Sequence, residues 1–199
     1  SLARSVRAPS RIDRDFYSPT RPPVVDGVPR FAIAGGPDFV SEVVKVAELG
    51  YRSQVTAALS FSVTAFHGDY DRLRTLEPQA QGGSVFRNLG EGTGQGVEAW
   101  WRWQPVARWR LSGGVVAQSV KTGLKQGSRD ASGTSGLANN DAKQQWFLRS
   151  YYDVSDAHQL DFSLRYNSGL PNPVVPGYAE LDAQWTWKLE HNLDLALIG

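Results

Sequence analysis

Residues 178 to 190 read Tyr-Ala-Glu-Leu-Asp-Ala-Gln-Trp-Thr-Trp-Lys-Leu-Glu. Leu181, Ala183, Trp185, Trp187 and Leu189 recur at every second position, and Asp182, Gln184, Thr186, Lys188 and Glu190 fill the places between. Side chains of an extended strand alternate between its faces, so this segment is a strand oily on one side and charged on the other. Two tryptophans near one end of the oily face are unusual for a soluble sheet. They suit a strand whose outer face meets lipid and whose end lies at the membrane–water boundary.

The pattern recurs along the chain. Leu160, Phe162, Leu164 and Tyr166 alternate with Asp161, Ser163, Arg165 and Asn167. Val97, Ala99, Trp101 and Trp103 alternate with Glu98, Trp100, Arg102 and Gln104. Leu59, Phe61, Val63 and Ala65 face away from Ser60, Ser62 and Thr64, and Ala47, Leu49 and Tyr51 from Glu48, Gly50 and Arg52. Further strands fit 109 to 121 and 144 to 154, with short ones at 1 to 7 and 193 to 199. The alternation predicts about nine strands and no other periodic element. Short turns are expected near Ser53–Thr56, Pro105–Arg108, Ser155–His158 and His191–Asn192. Longer polar loops are expected at 8 to 42, 77 to 84, 126 to 143 and 170 to 177. Strict short–long alternation makes neighbours antiparallel and places all long loops at one end, as in an antiparallel transmembrane β-barrel. Tyr51, Trp101, Trp103, Trp109, Tyr152, Trp185 and Trp187 gather beside the short turns, and Tyr70, Tyr166 and Tyr178 near the long loops. Two such bands read as lipid-facing interfacial girdles.

Composition bounds the rest. The 199 residues carry a net charge of +1 and 41% are hydrophobic, which argues against disorder and against nucleic acid as a partner. Mean hydropathy is −0.37. No apolar run approaches the ~18 residues a membrane helix needs, whereas a barrel hides polar residues in its lumen. Cys is absent, which removes disulfides and thiolate metal sites. The chain opens on Ser1, has no Met, shows no signal segment and stops at Leu195–Gly199 within a strand pattern. It reads as an internal or C-terminal piece of a longer protein.

Chemistry-bearing motifs are sparse. His67, Asp69 and Asp71 alternate on one strand, but a metal site normally draws on more His or Cys than this. His158 and His191 fall in expected turns and read as solvated. No Gly-x-Ser-x-Gly elbow accompanies the three histidines. Gly90 to Gly96 resembles a phosphate loop but lacks its Lys and precedes a strand instead of a helix. No catalytic residue, metal site or cofactor is therefore expected.

Several segments carry a family likeness. Ser5-Val6-Arg7-Ala8-Pro9-Ser10 resembles the strand-end Arg-x-Pro-Ser segment of TonB-dependent outer-membrane receptors. Pro37 to Glu42 followed by Ala47-Glu48-Leu49-Gly50-Tyr51-Arg52 resembles their Asn-Pro-x-Phe/Leu-x-x-Glu and Tyr-Glu-Leu-Gly signature, with Gly36 where Asn is commoner. Thr64 to Leu73 is similar to the strand reading Ala-x-Tyr-x-x-x-Tyr-x-x-Ile/Leu. Asn88 with Gly96-Val97-Glu98 is similar to Asn…Gly-x-Glu, and Tyr178 to Ala183 to Tyr-x-x-Leu-Asp-Ala. The likeness spans the whole chain, in order.

It implies that residues 1 to 199 are the C-terminal part of a barrel of about 22 strands with a plugged lumen. The plug and the TonB-binding segment would lie outside this chain. Such receptors sit in the outer membrane of Gram-negative bacteria, among lipid and lipopolysaccharide. Powered by the TonB complex, they take up a scarce nutrient such as a ferric siderophore, haem or cobalamin. Within the 8 to 42 loop, Arg11, Arg14, Phe16, Tyr17, Arg21 and Arg30 would then be candidates for gripping an anionic metal chelate. Lumen-facing Glu48, Arg52, Glu98, Arg102, Arg165, Asp182, Lys188 and Glu190 would pair with one another or with the plug. The competing readings are a soluble Trp-rich β-domain that binds carbohydrate by stacking, and an outer-membrane enzyme.

Overall fold

The computed structural model describes residues 1–131, 140–190 and 193–199. Its elements are β1 (Leu2–Arg7), α1 (Arg11–Asp15), β2 (Tyr17–Val25), β3 (Val28–Ala34), β4 (Glu42–Thr56), β5 (Leu59–Pro78), β6 (Ser84–Val106) and β7 (Trp109–Leu124). There follow β8 (Gln144–Asp153), β9 (His158–Asn167), β10 (Leu170–Pro171), β11 (Val174–Val175), β12 (Tyr178–Glu190) and β13 (Leu193–Ile198). The main sheet runs β1-β4-β5-β6-β7-β8-β9-β12-β13, which are the nine strands expected from alternation. It is a nearly all-antiparallel barrel fragment whose order ends on β1 and β13 without closing, with β2 and β3 joined to it by a short parallel contact of β3 on β6.

The chain forms two compact units. The first comprises Ser1–Ala47, His67–Gln95 and Val120–Asp141; the second comprises Glu48–Phe66, Gly96–Ser119 and Ala142–Gly199. In the second, cross-strand register sets the faces. Leu148 lies opposite Leu164, and Leu164 opposite Leu181. Trp109 faces Tyr152, Tyr152 faces Leu160, and Leu160 faces Trp185, which meets Leu197. Directly opposed residues share a face, so one apolar face runs across β7, β8, β9, β12 and β13. Leu181 is 63% and Leu197 69% exposed and Leu160 and Leu164 are half-buried, so the face is largely open among the described residues. The other face carries the polar row Ser112, Arg149, Ser163, Asp182.

In the first unit the expected 8 to 42 loop is structured. Ser10 caps α1: its Oγ accepts from Asp13 N (3.3 Å), and Asp13 Oδ2 accepts in return from Ser10 N (2.8 Å). β2 and β3 form a hairpin closed by Asp26 and Gly27, both at positive φ (51° and 75°). Two such residues make the turn whose twist matches a hairpin, and Asp-Gly is a favoured pair for it. Ala34, Phe39 and Val43 form a small buried core in this unit.

Other boundaries shift. The first short turn is Ala57–Ala58 instead of Ser53–Thr56, because the Thr56 hydroxyl accepts from Ala58 N (3.1 Å) and caps the reversal. β5 and β6 run on to Pro78 and from Ser84, leaving only residues 79–83 between them. The 170 to 177 loop contains the β10–β11 bridge. The expected turn at His191–Asn192 and residues 132–139 of the 126 to 143 loop lie outside the described residues.

Candidate functional site

Three of the six loop candidates are committed to holding the loop. Arg14 Nε donates to Phe39 O (3.0 Å), and the Arg30 guanidinium donates to Gln81 O. Tyr17 Oη donates to Arg30 O (3.2 Å), and the Tyr17 ring lies against Phe31 (5.9 Å). Phe16 tilts against Phe86 (6.5 Å). Arg11 projects with its side chain 95% exposed, 3.7 Å from Asp15, and Arg21 is also exposed.

Beneath them, fully buried Asp13 receives Arg7 and Arg74, each at 3.2 Å. Arg7 also meets Glu42 at 2.6 Å, and Glu42 accepts from Arg74 N (2.8 Å). Burial alone would raise the Asp13 carboxyl. Hydrogen bonds from Ser10 N–H and Oγ and the charge of Arg7 outweigh it and hold the group below the usual carboxylate range. Asn88 ties the same region together, accepting from Val40 N (2.8 Å) and donating to Arg72 O (2.7 Å) and Val40 O (3.1 Å). Glu77 accepts from Ser128 Oγ (2.6 Å) and Arg129 N (2.7 Å), which fastens the start of the next loop.

The polar face of the second unit holds a different arrangement. Arg52, Arg102, Arg110 and Arg149 line two adjoining recesses, and no carboxylate lines either. Trp100 tilts against Phe147 (5.6 Å) above Gly114. The Arg149 guanidinium lies 5.4 Å from the Phe147 ring centre, and that of Arg110 5.9 Å from Tyr151. A Cβ on Gly114 would stand 2.6 Å from the Trp100 ring and 2.8 Å from Phe147, so only glycine lets both rings sit on the backbone. Gly114→Val is expected to expel the rings and cost about 1–3 kcal/mol, read as a lower urea midpoint of the full-length receptor. An unchanged midpoint would show that the rings do not rest there.

The charged residues expected to pair do so unevenly. Arg165 engages Glu180 and lies 3.8 Å from Asp182. Among the described residues, Arg52, Arg102 and Arg149 have no carboxylate within ion-pair distance.

The aromatics expected as a girdle lie on the apolar face. Tyr51 meets Phe61 (5.8 Å) and Trp109 meets Tyr152 (6.1 Å). Trp101 covers Gly113, where a Cβ would stand 2.7 Å from its ring, and Trp103 is 44% exposed. Tyr166 stacks on Trp146 (5.7 Å), a partner the sequence pattern did not single out. His158 is not a solvated turn residue. It opens β9 and lies 5.6 Å from both Trp185 and Trp187, with its Nδ1 buried and without a hydrogen-bond partner. His67 meets Asp69 (3.2 Å), and among the described residues no metal-holding group of His, Cys, Asp or Glu occurs.

Comparison with known proteins agrees with this geometry. The family model "TonB dependent receptor-like, beta-barrel" matches residues 1–199. No curated protein matches the chain in sequence. The ferric-catecholate import receptor Fiu of E. coli K12 aligns with TM-score 0.65 and 19% identity over 81% of this chain and 23% of that one. The FrpB iron transporter of Neisseria meningitidis aligns with TM-score 0.63 and 15% identity over 79% and 26%. The siderophore receptor PirA of Acinetobacter baumannii gives TM-score 0.67 and 13% identity over 96% and 32%. The chain thus spans about a quarter to a third of these structures. At such identities the likeness is one of fold.

Proposed function

Because the chain belongs to the TonB-dependent receptor-like β-barrel family, we propose that it is the C-terminal part of the barrel wall of an outer-membrane active-transport receptor. Its ligand is a scarce nutrient carried as a small metal chelate, and its energy comes from the TonB complex. The family is one of transport receptors and not of enzymes, and the soluble carbohydrate-binding reading finds no support. The observation that carries the proposal is the uncovered apolar face registered across β7, β8, β9, β12 and β13, with aromatics beside its short turns. Lipid covers such a face, and Trp and Tyr settle at its borders. Tyr51, Trp101, Trp103, Trp109, Tyr152, Tyr166, Trp185 and Trp187 are the proposed girdles.

The loop of residues 8 to 42 then faces the cell exterior. Its two exposed, weakly engaged cations, Arg11 and Arg21, are the first contacts for an anionic chelate. Arg14, Phe16, Tyr17 and Arg30 shape the loop that presents them. A chain without cysteine allows a direct test. Single cysteines replace Asp26, at the hairpin tip, and Ala107, in a short turn, within the full-length receptor cleared of other cysteines. Intact cells then meet a membrane-impermeant maleimide. Labelling at Asp26→Cys with protection at Ala107→Cys is expected. Equal labelling of the two would remove the membrane-spanning reading.

A further inference from the structure

Resting on the reading of residues 8 to 42 as an extracellular loop, we propose that this loop is not a lid but a fixed wing. It forms one rigid body with the outer ends of β5 and β6 and with residues 125–130, and Asn88 is its lock. All of these segments fall in the first compact unit. The loop is held to β6 at several points. Ile33 and Ala34 pair with Ser84 and Val85, and the Arg30 guanidinium donates to Gln81 O beyond the end of β6. A Cβ on Gly36 would stand 2.0 Å from Phe86 O, so the loop backbone lies directly against that strand. Arg14 Nε on Phe39 O and the Asp13 clasp fasten the helical end of the loop.

Asn88 joins three segments through one side chain. Its carboxamide accepts from Val40 N (2.8 Å) and donates to Val40 O (3.1 Å), as the peptide unit of a neighbouring strand would. The same Nδ2 donates to Arg72 O (2.7 Å). Arg72 has a φ of 61°, a left-handed conformation that is costly for a residue with a side chain and persists only where its surroundings hold it. Residues 125–130 then strap β5 to β6. Lys125 N donates to Leu89 O (2.8 Å), Leu76 N to Asp130 Oδ2 (2.9 Å), and Glu77 accepts from Ser128 Oγ (2.6 Å) and Arg129 N (2.7 Å). Glu77 and Asp130 are buried, which shields these bonds from competing water. Segments cross-linked in this way open together as one cooperative unit. Arg11 and Arg21 are thus carried on a preset frame, and an anionic ligand meets them without the ordering cost of a mobile loop. Closure over the ligand falls to other segments of the receptor.

The test uses the full-length receptor in lipid vesicles, cleared of other cysteines, with nitroxide labels on Asp26→Cys at the hairpin tip and Glu91→Cys on β6. Double electron–electron resonance should give one narrow distance distribution. Asn88→Asp keeps the size of the side chain and removes its donors. It should broaden the distribution and speed amide exchange over residues 30 to 41 about tenfold. Glu77→Gln touches only the strap, yet cooperative opening requires that it speed exchange over residues 30 to 41 as well as over 125 to 130. Exchange in β8, β9 and β12 is the internal standard for a folded barrel. Three results overturn the proposal. The first is a broad or two-peaked distribution in the parent. The second is a distribution in Asn88→Asp as narrow as the parent's. The third is faster exchange in Glu77→Gln confined to residues 125 to 130. If the loop proves mobile while one-sided cysteine labelling persists, the wing falls and the transport reading stands.

Discussion

Leu164→Arg is expected to lower the stability of the full-length receptor by ~2–4 kcal/mol, the cost of an arginine on a lipid-facing barrel surface near mid-bilayer. Leu164 stands in the middle of β9, flanked by Leu148 on β8 and Leu181 on β12. An arginine there replaces leucine–leucine contact on the apolar face and must lose part of its hydration. Its neighbour Ser163 points the other way, between Arg149 and Asp182. Ser163→Arg places the same charge among polar groups and should cost much less. Equilibrium urea unfolding of both variants in lipid vesicles reads the difference. Equal losses would mean that the two faces of β9 do not divide lipid from lumen.

Asp13→Asn should release the 8 to 42 loop from the strands beneath it. The carboxylate binds two arginines from β1 and β5 and closes the cap of α1. Hydrogen bonds to a charged group contribute roughly 1.5–3 kcal/mol each when buried, but both guanidinium groups are partly open to water. A local loss of about 2–3 kcal/mol follows, including the weakened cap. It appears as faster amide exchange over residues 10 to 41, with β8, β9 and β12 unchanged. Protonation should act like the mutation. Because the folded carboxyl lies below its ordinary value, its contribution is complete above the unfolded pKa of about 3.9 and is lost as pH falls through the lower folded value. Exchange in the parent should therefore accelerate below about pH 4, and in Asp13→Asn it should lack that step. Unchanged exchange in the variant would show that the clasp does not hold the loop.

The sequence alone determined the nine strands, their order and their faces. A sheet apolar on one face and polar on the other makes the two residue types alternate along each strand, and that demand is local. In the extension of β5 through Asp69–Pro78 the buried positions include polar Thr75 and Glu77, so no apolar–polar alternation marks it, and neither it nor the start of β6 at Ser84 was legible. The β2–β3 hairpin was hidden for another reason. Pro19, Pro22, Pro23 and Pro29 argue against strands, although Asp26-Gly27 between Val25 and Val28 carried a usable turn signal. Ser10 and Asp13 likewise spelled a helix cap in advance.

Only the tertiary structure decided which arginines are occupied. Arg7 lies 6 residues from Asp13 and Arg74 lies 61, yet both meet it; Arg102 and Arg149 share a recess that no carboxylate lines among the described residues. His158 reads as a turn residue in sequence and becomes the partner of two tryptophans through the register of β9 on β12. Alternation assigns a residue to a face, but charge pairing depends on distances across strands, and those distances exist only once the register has formed.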